Sequence, residues 1–336
     1  MPCSPLSRSG TESVTSIAVN SEFRAPWWLR NAHAQTLWPR LMRRPPAPQL
    51  RMDALKLADG DVLHLAWGPY GGGGVVVLLH GLGGCATSGY ILGLLQQLHE
   101  ADMQGVVMQF RGAGGIPNRL PRFFHAGAWE DLEQTLRHVT ACLPGRRIAV
   151  LGYSMGGIVT LNWLGSGTST TPVDTAVTVS APFELAACAR YLNRGFARLY
   201  QWDIVRGLKR MIRVKETRTP LGIAPERLAA IRTLWDFDDQ ITAPLHGFSD
   251  AHDYYRRCSP ASRLAAIETP TLMLHAVDDP FVPAESLPRA SALPGAVRME
   301  LSSTGGHVGF VTGSPLKPVY WLEHRIMKHL REAFGA

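Results

Sequence analysis

With 336 residues, 46% of them hydrophobic and 18% charged, the chain can bury a sizeable core and carries too little charge for general disorder. Five cysteines, Cys3, Cys85, Cys142, Cys188 and Cys258, are odd in number and scattered without a Cys-x-x-Cys pair, which argues against a disulfide framework and a zinc site and points to a reducing, cytoplasmic setting. The excess of 34 basic over 27 acidic residues is modest, and no apolar run approaches bilayer-spanning length, so a soluble or at most membrane-peripheral protein is expected.

In chain order, the opening MPCSPLSRSGTESVTS is polar and lacks the apolar core of a secretory signal, so residues 1–22 read as a disordered tail. Strand-length apolar runs then recur: VLHLAWG at 62–68, VVVLLHG at 75–81, VVMQF at 106–110, IAVLGYS at 148–154, VDTAVTVS at 173–180, TLMLHA at 271–276 and VRMEL ending at Leu301. Between the earlier runs, YILGLLQQLHEA and AWEDLEQTLRHVTACL space their apolar residues three and four apart, as amphipathic helices do. This alternation predicts an α/β fold, a doubly wound and mostly parallel sheet with helices on both faces. Gly71 to Gly74 precede a strand rather than following one, so they read as a turn and not as a phosphate cradle.

After Ser180 the alternation stops. Residues 181–260 show no strand pattern and read as a helical lid inserted into a core made of 23–180 and 261–336. ELAACARYLNRGFARLY is expected to form one helix with Leu185, Cys188, Leu192, Phe196 and Leu199 on its inner face. DIVRGLKRMIRVK repeats the design with Ile204, Val205, Leu208, Met211 and Ile212. From Arg190 to Arg218 nine basic residues stand against two acidic ones. A solvated helix face is the commoner cause of such a run, with peripheral contact to an anionic membrane as the functional alternative and no nucleic-acid partner expected.

LGYSMGGI, 151–158, carries the chemistry. Ser154 lies between a strand and a helix in a Gly-x-Ser-x-Gly pattern, the setting of a nucleophile elbow. A serine hydroxyl needs a base, and the base needs an orienting acid. In this architecture the triad runs Ser, Asp/Glu, His. His307 in STGGHVGF follows the last strand and is the expected base, while Asp278 and Asp279, after TLMLHA, both qualify as the acid. Backbone N–H groups of Met155, next to the nucleophile, and of Leu82 in HGLGG (80–84) are the expected oxyanion donors, and His80 reads as a brace for that loop. No cofactor or metal is implied.

These residues resemble the α/β-hydrolase superfamily. In many members the acid strand is followed by Gly-x-x-Asp-x-x-Val-Pro. Ala276, Asp279, Val282 and Pro283 occupy those slots, which favours Asp279 and leaves Asp278 in reserve. More narrowly, PWWLRNAHAQTLWP (26–39), FRGAGGIPNR (110–119), HAGAWEDL (125–132), TLWDFDDQITAPLHGF (233–248), DYY (253–255) and HAVDDPF (275–281) are similar to the YheT-type branch, related to the eukaryotic ABHD1 and ABHD3 proteins. That resemblance implies an eight-stranded sheet with a lid after strand six and esterase-like hydrolysis of a small-molecule ester with a short- to medium-chain acyl group, or of a lipid ester. Acyl transfer to an alcohol would use the same triad, but no histidine here is followed five positions later by aspartate, the acyltransferase signature of some relatives. Lipid binding on a retired hydrolase scaffold is the non-catalytic alternative. Trp235, Phe237 and Phe248 of the lid block are expected either to wall an acyl pocket or simply to pack the lid.

Overall fold

The structure is a computed structural model that describes residues 20–335. Eight strands form one sheet: β1 (Arg51–Lys56), β2 (Val62–Trp67), β3 (Val75–Leu79), β4 (Gln104–Gln109), β5 (Ile148–Tyr153), β6 (Thr175–Val179), β7 (Thr271–Ala276) and β8 (Val297–Ser302), in the order β1-β2-β4-β3-β5-β6-β7-β8. β2 is antiparallel to both neighbours and every other pairing is parallel. The near-continuous apolar strands follow from burial on both faces. Val75, Val77 and Leu79 join one core, with α3 (Glu130–Cys142) and α4 (Met155–Leu164), while Val76 and Leu78 join the other, with α2 (Gly89–Glu100) and α11 (Trp321–Phe334). β1 escaped the hydrophobic pattern because it is an edge strand with an alternately exposed face.

Much of the N-terminal tail expected over 1–22 lies outside the described residues. Asn20 and Ser21 depart from the expectation: both backbone N–H groups donate to the Leu301 carbonyl at 3.0 and 2.9 Å, and the Asn20 side chain bonds Met299 and Leu301 of β8. The next segment forms α1 (Ala32–Met42), opened by Asn31, whose side chain accepts from the His33 and Ala34 N–H groups. α1 packs against the segment that follows β8, Thr36 bonding His307 and Gln35 bonding Val311.

Between β6 and β7 the chain forms α5 (Leu185–Tyr191), α6 (Ala197–Glu216), α7 (Pro225–Ala230), α8 (Leu234–Phe237), α9 (Ala243–Leu245) and α10 (Ala251–Cys258), with no strand among the described residues. The single helix expected over ELAACARYLNRGFARLY is two. Gly195 takes φ +48°, the left-handed region that ends a helix, so the facing restarts at Ala197. Phe196 and Leu199, expected inside, are consequently 48% and 52% exposed. Val205, Leu208 and Ile212 are buried as their spacing predicts. A hairpin of β9 (Val311–Ser314) and β10 (Lys317–Tyr320) leads into α11.

Candidate active site

Ser154 sits at the tip of β5 with φ +51° and ψ −114°, a conformation that costs a non-glycine residue energy and persists only where its surroundings impose it. The surroundings do so by close approach. A side chain at Gly152 would collide with the Gly156 carbonyl, and one at Gly156 with the Leu79 carbonyl on β3. The Ser154 N–H is fixed to Val179 O at 2.8 Å. The turn thus lifts the hydroxyl above the sheet at the start of α4, where the helix's unpaired N–H groups point at it.

His307 lies in the loop after β8, with Nε2 2.9 Å from Ser154 Oγ and Nδ1 2.8 Å from Asp279 Oδ2. Because a carboxylate can only accept, the proton belongs on Nδ1, which leaves Nε2 to accept from the serine hydroxyl. Asp279 is 1% exposed, and its other oxygen accepts the Phe281 and Val282 N–H groups at 2.8 and 3.3 Å, so the carboxylate is tied down from both ends. Asp278 does something else. Its Oδ1 accepts the Gly306 N–H at 2.9 Å, bracing the loop that carries His307, and burial, reinforced by the neighbouring Asp279 charge, pushes its carboxyl up to about 6. The structure therefore brings Ser154, Asp279 and His307 together and leaves Asp278 out of the relay.

The HGLGG loop closes over the nucleophile, since a Cβ on Gly81 would stand 3.3 Å from the Ser154 Cβ. Neither the Leu82 nor the Met155 N–H has a hydrogen-bond partner among the described residues, as expected of donors kept for a developing oxyanion. His80 is buried, donates from Nδ1 to Gly81 O at 2.8 Å and accepts the Phe110 N–H on Nε2, and burial lowers its pKa to about 4. It is a neutral brace, as read from the sequence.

Two supports of His307 were missed. The backbone N–H of His307 donates to Thr36 Oγ1 on α1 at 2.9 Å, and the buried Gln35 bonds both the N–H and the carbonyl of Val311 just downstream. Phe281 stacks on the His307 ring at 4.2 Å between centroids, and Tyr200 of the lid stacks on Phe281 at 4.8 Å. Thr36 and Gln35 are marked in the sequence only by membership in PWWLRNAHAQTLWP, more than 270 residues from the loop they support, and Phe281 only by membership in HAVDDPF. Periodicity connects neither block to His307, and Tyr200 lies in neither.

A strand-borne serine in a strained turn, a histidine after the last strand and a buried acid after β7 define an architecture that comparison can test. The model of the alpha/beta hydrolase fold family matches residues 74–314. The chain belongs to the α/β-hydrolase fold family. Within it, this hydrolase-fold chain is 39% identical over 324 residues to YheT of Escherichia coli (strain K12), named as a candidate esterase, with 94% of this chain and 95% of that one covered. It is 30% identical over 297 residues to the phospholipase ABHD3 of Mus musculus, covering 85% and 72%. Among solved structures, an esterase of Pyrococcus furiosus superposes with a TM-score of 0.57 at 16% identity, covering 87% of this chain and 100% of that one, a likeness that shows the fold alone.

The contacts of Trp235, Phe237 and Phe248 are packing contacts, the second of their two expected roles. Trp235 packs on His252 and Tyr255, Phe237 lies beside Phe123, and Phe248 meets His125, Tyr254 and the Arg257 guanidinium. Phe281, the support of His307, packs both against their cluster, which also holds Met155, and against a smaller one formed by Leu192, Ala197 and Tyr200 with Leu37 and Leu234. Among the described residues no helix is long and apolar enough to cross a membrane.

Proposed function

We propose that this chain is a serine-dependent hydrolase of carboxylic esters. The observation that carries the reading is the pair of contacts on His307, 2.9 Å to the Ser154 hydroxyl and 2.8 Å to Asp279. In the first half-reaction His307 Nε2 takes the serine proton as Ser154 Oγ attacks the ester carbonyl. The oxyanion is received by the Leu82 and Met155 N–H groups, and the imidazolium, held by Asp279, returns its proton to the leaving alcohol. Water, deprotonated by the same nitrogen, then attacks the acyl-enzyme, and the carboxylic acid leaves as Ser154 recovers its proton. The names of the relatives, esterase and phospholipase, support ester bonds as the target. The acyl chain is assigned to the Leu192–Tyr200–Phe281 side of the site, which suits short- to medium-chain or lipid acyl groups.

Peripheral contact with anionic membrane belongs to the same proposal. α6 presents Phe196, Leu199 and Trp202 (55% exposed) at its amino-terminal end and Arg206, Arg210 and Arg213 further along. Arg40 of α1 is ion-paired with Asp203 between the two groups. Apolar anchors beside a basic stripe, next to Tyr200, which stacks on the Phe281 that covers His307, are what an interfacial helix needs. Hydrolysis of p-nitrophenyl esters of graded chain length tests the function. Turnover that is lost in Ser154→Ala supports it, and equal turnover by wild type and Ser154→Ala overturns it.

A further inference from the structure

A cavity of about 710 Å³ lies apart from the triad, which contributes none of its lining. Its position follows from α4: Asn162, at its wall, is eight residues beyond Ser154, roughly 12 Å down the helix. Three of the sequence blocks that the triad does not use converge here. FRGAGGIPNR supplies Arg111, HAGAWEDL supplies His125 and its neighbours, and TLWDFDDQITAPLHGF supplies His246 and Phe248. Arg111 is spent on structure, bidentate to Asp131 and bonded to Asp59 and Asp61. Of the rest, Arg122 reaches Asp59 at 3.4 Å through one terminal nitrogen and Gln134 accepts the Ala58 N–H, while Asp59, Glu130 and Asp131 add three carboxylates to the five guanidinium groups of the wall.

Three buried polar atoms at this cavity have no hydrogen-bond partner among the described residues: Arg122 Nε, His246 Nε2 and Asn162 Oδ1. Asn162 is 1% exposed, and its amide nitrogen is already committed to the Ala126 and Cys258 carbonyls, so its oxygen is the atom left without a partner. Native proteins pair almost all such atoms, and a polar cavity where several stay unpaired is one built around something else. The balance of charge says what. Arg256 and Arg257 share one carboxylate, Asp253, and Arg263 has no ion pair among the described residues. His125 and His246 face each other at 4.4 Å between ring centroids. Burial, with the arginines adding to it, holds both imidazoles neutral at pH 7. His125 Nδ1 accepts the Gly127 N–H, so its proton sits on Nε2, another donor.

We infer that this cavity binds a second small molecule, distinct from the ester, that carries an oxyanion (phosphate or carboxylate) for Arg122 and Arg263. Guanidinium groups are the side chains best suited to such oxygens, and neutral imidazole N–H groups donate without adding charge. The site stands independently of the esterase reading, because no triad residue lines it.

Isothermal titration of the full-length protein with inorganic phosphate, glycerol phosphate and citrate tests this. Saturable binding of at least one is expected, unchanged in Ser154→Ala and weakened about tenfold or more in the Arg122→Gln/Arg263→Gln double variant. Glycerol phosphate binding tightest identifies a phosphomonoester of a small polyol, and citrate binding tightest a polycarboxylate. If the double variant fails to fold, Arg263→Glu, altering a partly exposed residue with no ion pair, must show the same weakening. No saturable binding of any of the three, or binding that survives these substitutions, overturns the inference.

Discussion

The corner that holds the triad and the cavity around Asn162 stand at opposite stages of satisfaction. Each polar side-chain atom of Ser154, Asp279 and His307 has its partner, down to the loop N–H groups of Gly306 and His307. The Leu82 and Met155 N–H groups are held back, and among the described residues the one unbonded side chain beside the triad is buried His275, 3.8 Å from Asp279. At the cavity, residues from three separate segments, Arg122, Asn162 and His246, each keep one buried side-chain atom without a partner. The contrast teaches that preorganisation for chemistry and readiness for a ligand look different in a static structure. Chemistry shows as saturation around one reactive pair, because a reacting group must not relax. Binding shows as convergent unsatisfied groups, because the ligand is the missing partner.

The largest test of that contrast removes a member of the relay. His307→Ala and Asp279→Asn are expected to lower kcat for p-nitrophenyl butyrate by on the order of 10³- to 10⁴-fold while leaving the melting temperature within a few degrees. Asp278→Asn, whose amide oxygen still accepts the Gly306 N–H, should change kcat far less. Equal losses at 278 and 279 would dissolve the distinction between relay and brace.

A second test uses pH. Asp238, buried within the helical insertion and bonded by the Tyr255 and Thr242 hydroxyls, has its carboxyl pushed up by burial to about 6 from 3.8. A raised acid binds its proton more tightly folded than unfolded, so the stability it contributes is present below about pH 4 and is lost as pH rises toward and through 6. Thermal melts of wild type and Asp238→Asn should diverge over that window, with the wild type losing on the order of 2–3 kcal/mol relative to the variant. Parallel melting curves would show that the Asp238 carboxyl does not titrate.

Smaller effects sharpen the role of the amino-terminal helix. Thr36→Val removes the acceptor for the His307 N–H, and a several-fold fall in kcat with little change in KM is expected, equivalent to about 1 kcal/mol. An unchanged kcat would make α1 a packing element only. Smallest of all, Trp202→Ser should reduce sedimentation with phosphatidylserine vesicles a few-fold without altering turnover of a soluble ester. Vesicle binding that is indifferent to both Trp202 and salt would remove the membrane contact.

Much of this was legible in the sequence because it is local. The strand-turn-helix around Ser154, the order of the acid and base strands and the glycines that Leu79 O and Gly156 O demand all lie within short windows. Choosing Asp279 over Asp278 took more than spacing: the structural reason is that Asp279 turns back to accept the Phe281 and Val282 N–H groups, which fixes Oδ2 toward His307. Contacts that join remote segments were not legible. Thr36 meets His307, Tyr200 meets Phe281, and Asn162, a polar residue on an otherwise apolar helix, meets a lid carbonyl. Phe248 illustrates the same limit, since an aromatic in a lid block reads equally as acyl wall or as packing until the fold places His125 and Arg257 beside it. Gly195 shows how one residue in a left-handed conformation resets a helical face that periodicity alone carries straight through.

The most direct measurement is mass spectrometry of the intact protein after exposure to a fluorophosphonate, followed by peptide mapping. One adduct per chain, located on Ser154, absent in Ser154→Ala and strongly slowed in His307→Ala, is the result predicted. Labelling that is absent in the wild type, or that persists at full rate without His307, would contradict an activated serine at the tip of β5.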